Sequence, residues 1–248
     1  AMDPLTPPWV ATPDTLDAQM AGKGYAVLAA AGVAALASQA LRSFAVWHPL
    51  WEDLPSDQYL RDGGRYRRRR HGSFVVDRAE VALMPHRAHW QPLDYNALHG
   101  GIERWFEPLH ESMAHSAALA ALLRGLAVHA SAMRPGVTRW FAEVHVFRID
   151  CTDGIGRPTP EGAHRDGVDL VAVLLLAREN IKGGETRVFE AQGPQGVRFT
   201  LTEPWSALLL DDERVIHEST PIQPLEADRP AHRDTLVITL RRGGFQDP

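Results

Sequence analysis

From residue 139 onward the chain is a succession of short apolar runs cut by turn residues, with no helical stretch between them. RWFAEVHVFRI (139–149) alternates: Glu143, His145 and Phe147 fall on one face, Val144, Val146 and Arg148 on the other. VDLVAVLLLA (168–177) follows, then TRVFE after Gly183-Gly184, VRFTL after Gly193-Pro194, WSALLLDD, ERVIHES, a loop over 220–232 and TLVITL (235–240). Closely spaced strands without intervening helices pair antiparallel and close into a sandwich or barrel. The predicted class is mainly β with flanking helices.

The first half is mixed. GYAVL (24–28) reads as a strand, VAALASQALRSF (33–44) as a helix and 46–66 as an ordered loop region. Pro108 opens a predicted long helix reaching 133, with Leu119, Leu122, Leu123 and Leu126 on one stripe and Pro135-Gly136 closing it. Residues 1–14, rich in Pro and Thr, are expected to be extended. The 248 residues suffice for one large core. The expectation is a single domain over 15–248, its helical and mixed part 15–136 packed outside a β core 137–248.

Charge and cysteine content narrow the function. A formal net charge of −5 argues against a general nucleic-acid or anionic-membrane binder. A single cysteine, Cys151, allows no intrachain disulfide, which fits a reducing cytoplasm. The start AMDPLTPPWV lacks the basic and apolar regions of a signal peptide, and the apolar run 26–37 is too short to span a bilayer. RYRRRRHGSFVV (65–76) reads as a strand whose arginines alternate between faces, one of them available to hold a substrate carboxylate.

Chemistry concentrates in the β half. EGAHRDGVDL (161–170) places His164 and Asp166 two residues apart before an apolar run. On a strand they would share a face, at a depth where an unpaired carboxylate is costly and a divalent metal removes the cost. His217, in LLLDDERVIHEST, can return to the same barrel mouth from another strand. Two histidines and one carboxylate on one face of a metal form the set used by non-haem Fe(II) oxygenases. Arg233 and Thr235, entering the last strand, form a carboxylate clamp suited to the far end of 2-oxoglutarate.

The chain resembles the 2-oxoglutarate/Fe(II) dioxygenases typified by bacterial L-isoleucine hydroxylase, which act on free amino acids. The resemblance rests on PTPEGAHRDGVDLVAVLLLARENIKGGETRVFE (158–190), LLLDDERVIHESTPI (208–222) and RDTLVITL (233–240). It extends more weakly to YLRDGGRYRRRRHGSF (59–74) and QPLDYNALHGGIERWFEPL (91–109). It implies a double-stranded β-helix (jelly-roll) core, metal ligands at His164, Asp166 and His217, and a 2-oxoglutarate site at Arg233 with Thr235. The implied cofactors are Fe(II), 2-oxoglutarate and O2, and the implied products are succinate, CO2 and a hydroxylated amino acid. Asp166 fills the position that related halogenases leave open for chloride, which disfavours halogenation.

A zwitterionic substrate needs a cation for its carboxylate and an acceptor for its ammonium. Arg67, Arg69 and Arg148 are candidates for the first, Glu143, Glu161 and Asp169 for the second. His145 is a candidate for the cavity wall, while the pairs His86/His89 and His110/His115 lack a third ligand at metal spacing and read as surface or packing residues. Three rivals stay open: the same machinery acting on a tethered residue or biosynthetic intermediate with desaturation or ring closure, a non-redox metal-binding jelly roll, and a nucleic-acid enzyme. The number of subunits is also open, a homodimer among the options.

Overall fold

A computed structural model of the chain describes residues 9–248 and the backbone of Met2–Asp3; the extended segment expected over 1–14 lies, at residues 1 and 4–8, outside the described residues. The strands are β1 Met2–Asp3, β2 Val10–Ala11, β3 Tyr25–Leu28, β4 Arg67–Asp77, β5 Glu80–Leu83, β6 Arg139–Asp150 and β7 Leu170–Glu179. They continue as β8 Ile181–Gly183, β9 Thr186–Glu190, β10 Gly196–Phe199, β11 Ala207–Asp211, β12 Val215–Ser219, β13 Ile222–Pro224 and β14 His232–Arg241. The helices are α1 Leu16–Lys23, α2 Ala30–Ala37, α3 Arg42–Ala45, α4 Glu111–Ala114 and α5 Ala117–Met133.

An eight-stranded sheet in the order β2-β3-β11-β7-β14-β6-β4-β5 faces a four-stranded sheet, β1-β10-β9-β12, and a small pair, β13-β8, completes the mostly β, jelly-roll architecture. The period of two sets the two faces of the large sheet. Its outer face carries Ala142, Val144, Val146, Leu174, Leu236 and Ile238 into a core shared with Leu119, Leu122, Leu123 and Leu126 of α5. Each buried leucine contributes about 2 kcal/mol. Between the sheets, Val171, Leu175, Leu208 and Leu210 pack against Val188, Val197 and Val215.

Register decides what the inner face shows at the β4–β6–β14 end. Successive transverse rows read Arg67–Ile149–Arg233, Arg69–Phe147–Thr235, His71–His145–Val237 and Ser73–Glu143–Thr239. A slip of one residue on β4 would send Arg67, Arg69 and His71 outward.

Three expectations change. The first half does more than pack outside, since β3, β4 and β5 pair within the large sheet. The helix predicted over 33–44 is two, because Ser38 turns left-handed (φ 53°) and ends α2. The helix expected from Pro108 is broken at Ser116, whose hydroxyl accepts the Leu119 N–H at 3.1 Å and starts α5. No helix among the described residues is long and apolar enough to cross a membrane.

Gly125 marks where α5 meets α2: a Cβ there would lie 2.4 Å from the Leu36 carbonyl oxygen. Gly125→Ala gains about 1 kcal/mol of helix propensity. Overpacking costs about 1–3 kcal/mol, with backbone as the obstacle. We expect a lowered urea midpoint; a raised one contradicts the close approach.

Candidate metal centre

His164, Asp166 and His217 stand together, each with one ligand atom within 4.8 Å of the others. His164 and Asp166 are not on a strand, as the sequence suggested; β7 begins at Leu170 and the pair lies in the loop before it. His164 instead forms an isolated antiparallel bridge with His217 of β12, each backbone N–H donating to the other's carbonyl at 3.0 and 3.1 Å. That bridge joins the two ends of a 53-residue excursion and sets the rings 4.7 Å apart.

The loop is held from below by Asp212. This fully buried carboxylate accepts the backbone N–H groups of Asp166 (3.0 Å), Gly167 (2.7 Å) and Val168 (3.0 Å). Gly167 is left-handed, φ +79°, and a Cβ there would lie 2.5 Å from Tyr95 and Gln246. Burial and the nearby Asp166 charge push Asp212 up to about 7, against the pull of the three N–H groups.

The trio fits a divalent cation. His164 Nδ1–H donates to the Gly162 carbonyl at 2.8 Å, which leaves the Nε2 lone pair for a metal. His217 Nδ1 is buried without a partner. Despite burial, Asp166 draws His164 up to about 10 and is itself held far below the carboxylate range. Burial and the His164 charge lower His217 to about 4. Two imidazoles and one carboxylate suit Fe(II) or its neighbours.

The ligands open on a cavity of about 130 Å³. Arg233 and Thr235 line it. The Arg233 guanidinium is buried yet makes no hydrogen bond or ion pair with the described residues, and burial with the neighbouring Arg178 lowers its pKa to about 10. Glu161 lines the cavity 3.5 Å from His164 Nε2. Arg67 and Arg69 line it too; both pair with the buried Asp57, at 2.8 and 3.5 Å, and Arg69 lies between the rings of Phe106 and Phe147. Arg68 and Arg70 point the other way, to the carbonyls of Leu54 and Asp53.

Glu143 lines the cavity, and its Oε1 takes His71 Nε2 and His89 Nδ1, each at 2.9 Å. Two sequence candidates are displaced. Arg148 lies on the opposite face of β6 and pairs with Glu52 and Asp234. Asp169 is buried under Arg134 (3.0 Å) and the Arg242 N–H (2.9 Å), away from the cavity. His89, read as surface or packing, is a cavity residue, and so are Arg104, His99 and Gln91 from the irregular segment 84–110. Their signal was the run 91–109, which showed no helical or strand period to orient its side chains.

Burial holds His89 and His99 near pKa 4, for His89 against the attraction of Glu143. For a depressed histidine, the stability is complete above the unfolded value near 6.5 and is lost as pH falls toward 4, about 3 kcal/mol for each group. His217 acts likewise; Asp212 opposes below 7, and His164 is already fully protonated over this window. Three imidazoles outweigh one carboxyl. The thermal midpoint of the metal-free protein should therefore fall steadily from pH 7 to 4, and a flat profile contradicts buried neutral imidazoles.

The chain is 52% identical to a bsmA homologue from Methylobium petroleophilum of known crystal structure, over 97% of each chain with a TM-score of 0.92. Its fold is also similar to IDO from Bacillus thuringiensis (16% identity, 98% of this chain and 100% of that one, TM-score 0.75). A third likeness is to the Fe(II)/α-ketoglutarate-dependent dioxygenase TqaL (19% identity, 95% and 90%, TM-score 0.67). No curated protein matches the sequence. Residues 48–239 match the 2OG-Fe dioxygenase model, a span that holds the metal trio and Arg233, and the chain belongs to that family of oxygenases, which use Fe(II), 2-oxoglutarate and O2.

Proposed function

We propose that this oxygenase hydroxylates an aliphatic C–H of a free L-amino acid, converting 2-oxoglutarate and O2 to succinate and CO2. One observation carries the substrate reading. Glu143 and Arg104 are both buried on the same cavity, and among the described residues neither is paired with an Asp, Glu, Lys or Arg: Glu143 is bonded to His71 and His89, Arg104 to the neutral Gln91 at 3.0 Å. Buried charges need partners. A carboxylate and a guanidinium on one cavity wall, not bonded to each other, complement a zwitterion, and a cavity of about 130 Å³ suits a small molecule.

Iron(II), held by His164, Asp166 and His217, supplies the oxygen chemistry that couples decarboxylation to C–H oxidation. The protein supplies position. Arg233, unpaired among the described residues, takes the far carboxylate of 2-oxoglutarate, with Thr235 beside it on the same face. Arg104, helped by Arg67, takes the amino-acid carboxylate, and Glu143 the ammonium. Glu161, next to His164, screens the metal side. Burial of Arg67, Arg104, Glu143, Arg233 and Thr235 keeps water from the reacting carbon.

A succinate-release screen across free L-amino acids, L-isoleucine and L-leucine included, tests this, with product mass read for a gain of one oxygen. N-acetyl and amide derivatives of the best substrate should couple poorly; equal use of blocked and free forms rules out zwitterion recognition. Arg104→Gln should raise KM for the amino acid about 100-fold and leave KM for 2-oxoglutarate unchanged.

A further inference from the structure

Three side chains of the cavity wall, Glu143 and His145 on β6 and His89 from segment 84–110, and His71 of β4 beside them are not used by the metal centre. All are buried, with one ligand-type atom of each inside 4.8 Å of the rest, a spacing that a cation could also use. Their hydrogen bonds fix a different state. Arg69 Nη2 lies 3.0 Å from His145 Nδ1. A guanidinium only donates, so Nδ1 holds the lone pair and the neutral ring carries its proton on Nε2. Glu143 is ionised: His89 and His71 keep its carboxyl well below the usual range in spite of burial. An ionised carboxylate only accepts, so His71 Nε2 and His89 Nδ1 are both N–H, and the His89 lone pair is on Nε2. A divalent cation here would also lie on the wall that carries Arg67, Arg69 and Arg104.

Nε2 of His89 and Nε2 of His145 make no hydrogen bond with the described residues, and both rings line the cavity with centroids 4.7 Å apart. One acceptor and one donor, neither able to change role while its partner stays, stand side by side. Gln91 and Asn96 extend the same polar wall, and Phe147 is stacked on His145. An aliphatic side chain here would leave both nitrogens unpaired.

We propose that His89 and His145 read an uncharged donor–acceptor group on the substrate side chain, a carboxamide or a hydroxyl, so that the enzyme selects a polar amino acid over an aliphatic one of the same shape. The inference rests on the amino-acid reading above and narrows it. Sites built to hydrogen-bond a substrate group reject the analogue lacking it strongly, by 10⁴-fold or more where fully desolvated; a preference of at least roughly 100-fold in kcat/KM is expected here.

The test compares coupled turnover, succinate with an oxygen-gained product, for three near-isosteric pairs: L-asparagine with L-leucine, L-threonine with L-valine, and L-homoserine with L-norvaline. The best pair should favour its polar member about 100-fold, and His89→Phe, which keeps a ring but removes the Nε2 acceptor, should shrink that ratio below about 10-fold. Metal content measured on the same preparations should be one ion per chain in both proteins, which shows the variant folded. Preference for the aliphatic members, or none, overturns the proposal and leaves the amino-acid reading standing. Absence of coupling with every free amino acid sinks both. Two ions per chain, with one lost in His89→Phe, gives the cluster to a cation and overturns the proposal.

Discussion

Asp166→Ala should empty the metal site and abolish turnover. Asp166 is the anionic member of the trio, and the site has no other carboxylate at ligand distance in the same geometry. Glu161, 3.5 Å from His164 Nε2, belongs to a different turn and lacks the backbone clamp that fixes Asp166. Loss even of an outer-shell partner of a metal ligand costs 10–100-fold in affinity, so loss of the ligand itself should weaken Fe(II) or Mn(II) binding at least about 100-fold. Succinate release should drop to background, while far-UV circular dichroism is retained, because Asp166 lies in a loop and adds nothing to the apolar core. The same substitution removes the charge that draws a proton to His164. The metal-free variant should therefore bind about one proton fewer near pH 8 than the parent. Metal affinity within a few fold of the parent would remove Asp166 from the centre.

The strand half of the fold was readable because its signal is local. Alternation over 139–149 orients Glu143, His145 and Phe147 toward the cavity and Arg148 away, and the structure follows it, which is also why Arg148 fails as a substrate contact. The same period sorts Arg67 and Arg69 from Arg68 and Arg70. Local signals misled where a turn competes with a periodic run. His164 and Asp166 precede an apolar stretch and look like its first residues, yet Gly162 and Gly167, both left-handed, keep them in a loop. Ser116 interrupts a helical pattern as a cap, a role that the leucine stripe after it disguised. The cavity wall from 84–110 was the least legible. His89 meets Glu143 across 54 residues and Arg61 meets His99 across 38, through an irregular segment whose side-chain directions no period sets. What a sequence reveals here is which faces exist; which loop closes over them depends on contacts made only after folding.

Asp212→Ala should cost more stability than any other single change near the site. The Asp-Asp pair ending β11 looks like a polar turn, but its two members differ. Asp211 is buried in a pair with Arg134, 2.8 Å away at the C-terminal end of α5, while Asp212 is fully buried on the loop side and takes three consecutive N–H groups. Alanine leaves those three donors without an acceptor, each costing about 1–3 kcal/mol unless water enters. A net loss of about 3–5 kcal/mol is expected, which for a chain of this size is a fall of roughly 10–15 °C in Tm. Because the donors belong to Asp166, Gly167 and Val168, the loss reaches the metal: the Asp166 carboxylate is no longer held against His164 and His217. Metal affinity should fall about 10–100-fold, as it does when other ligand-orienting partners are removed. Asp212→Asn keeps one acceptor oxygen and the shape, so it should recover much of the stability while its amide N–H₂ faces the Asp166 N–H and restores affinity only in part. Differential scanning calorimetry with and without Mn(II) separates the two effects: the metal-induced rise in Tm should shrink in both variants. A variant that loses stability but keeps the full metal-induced rise reduces Asp212 to a packing residue and detaches the loop clamp from the metal centre.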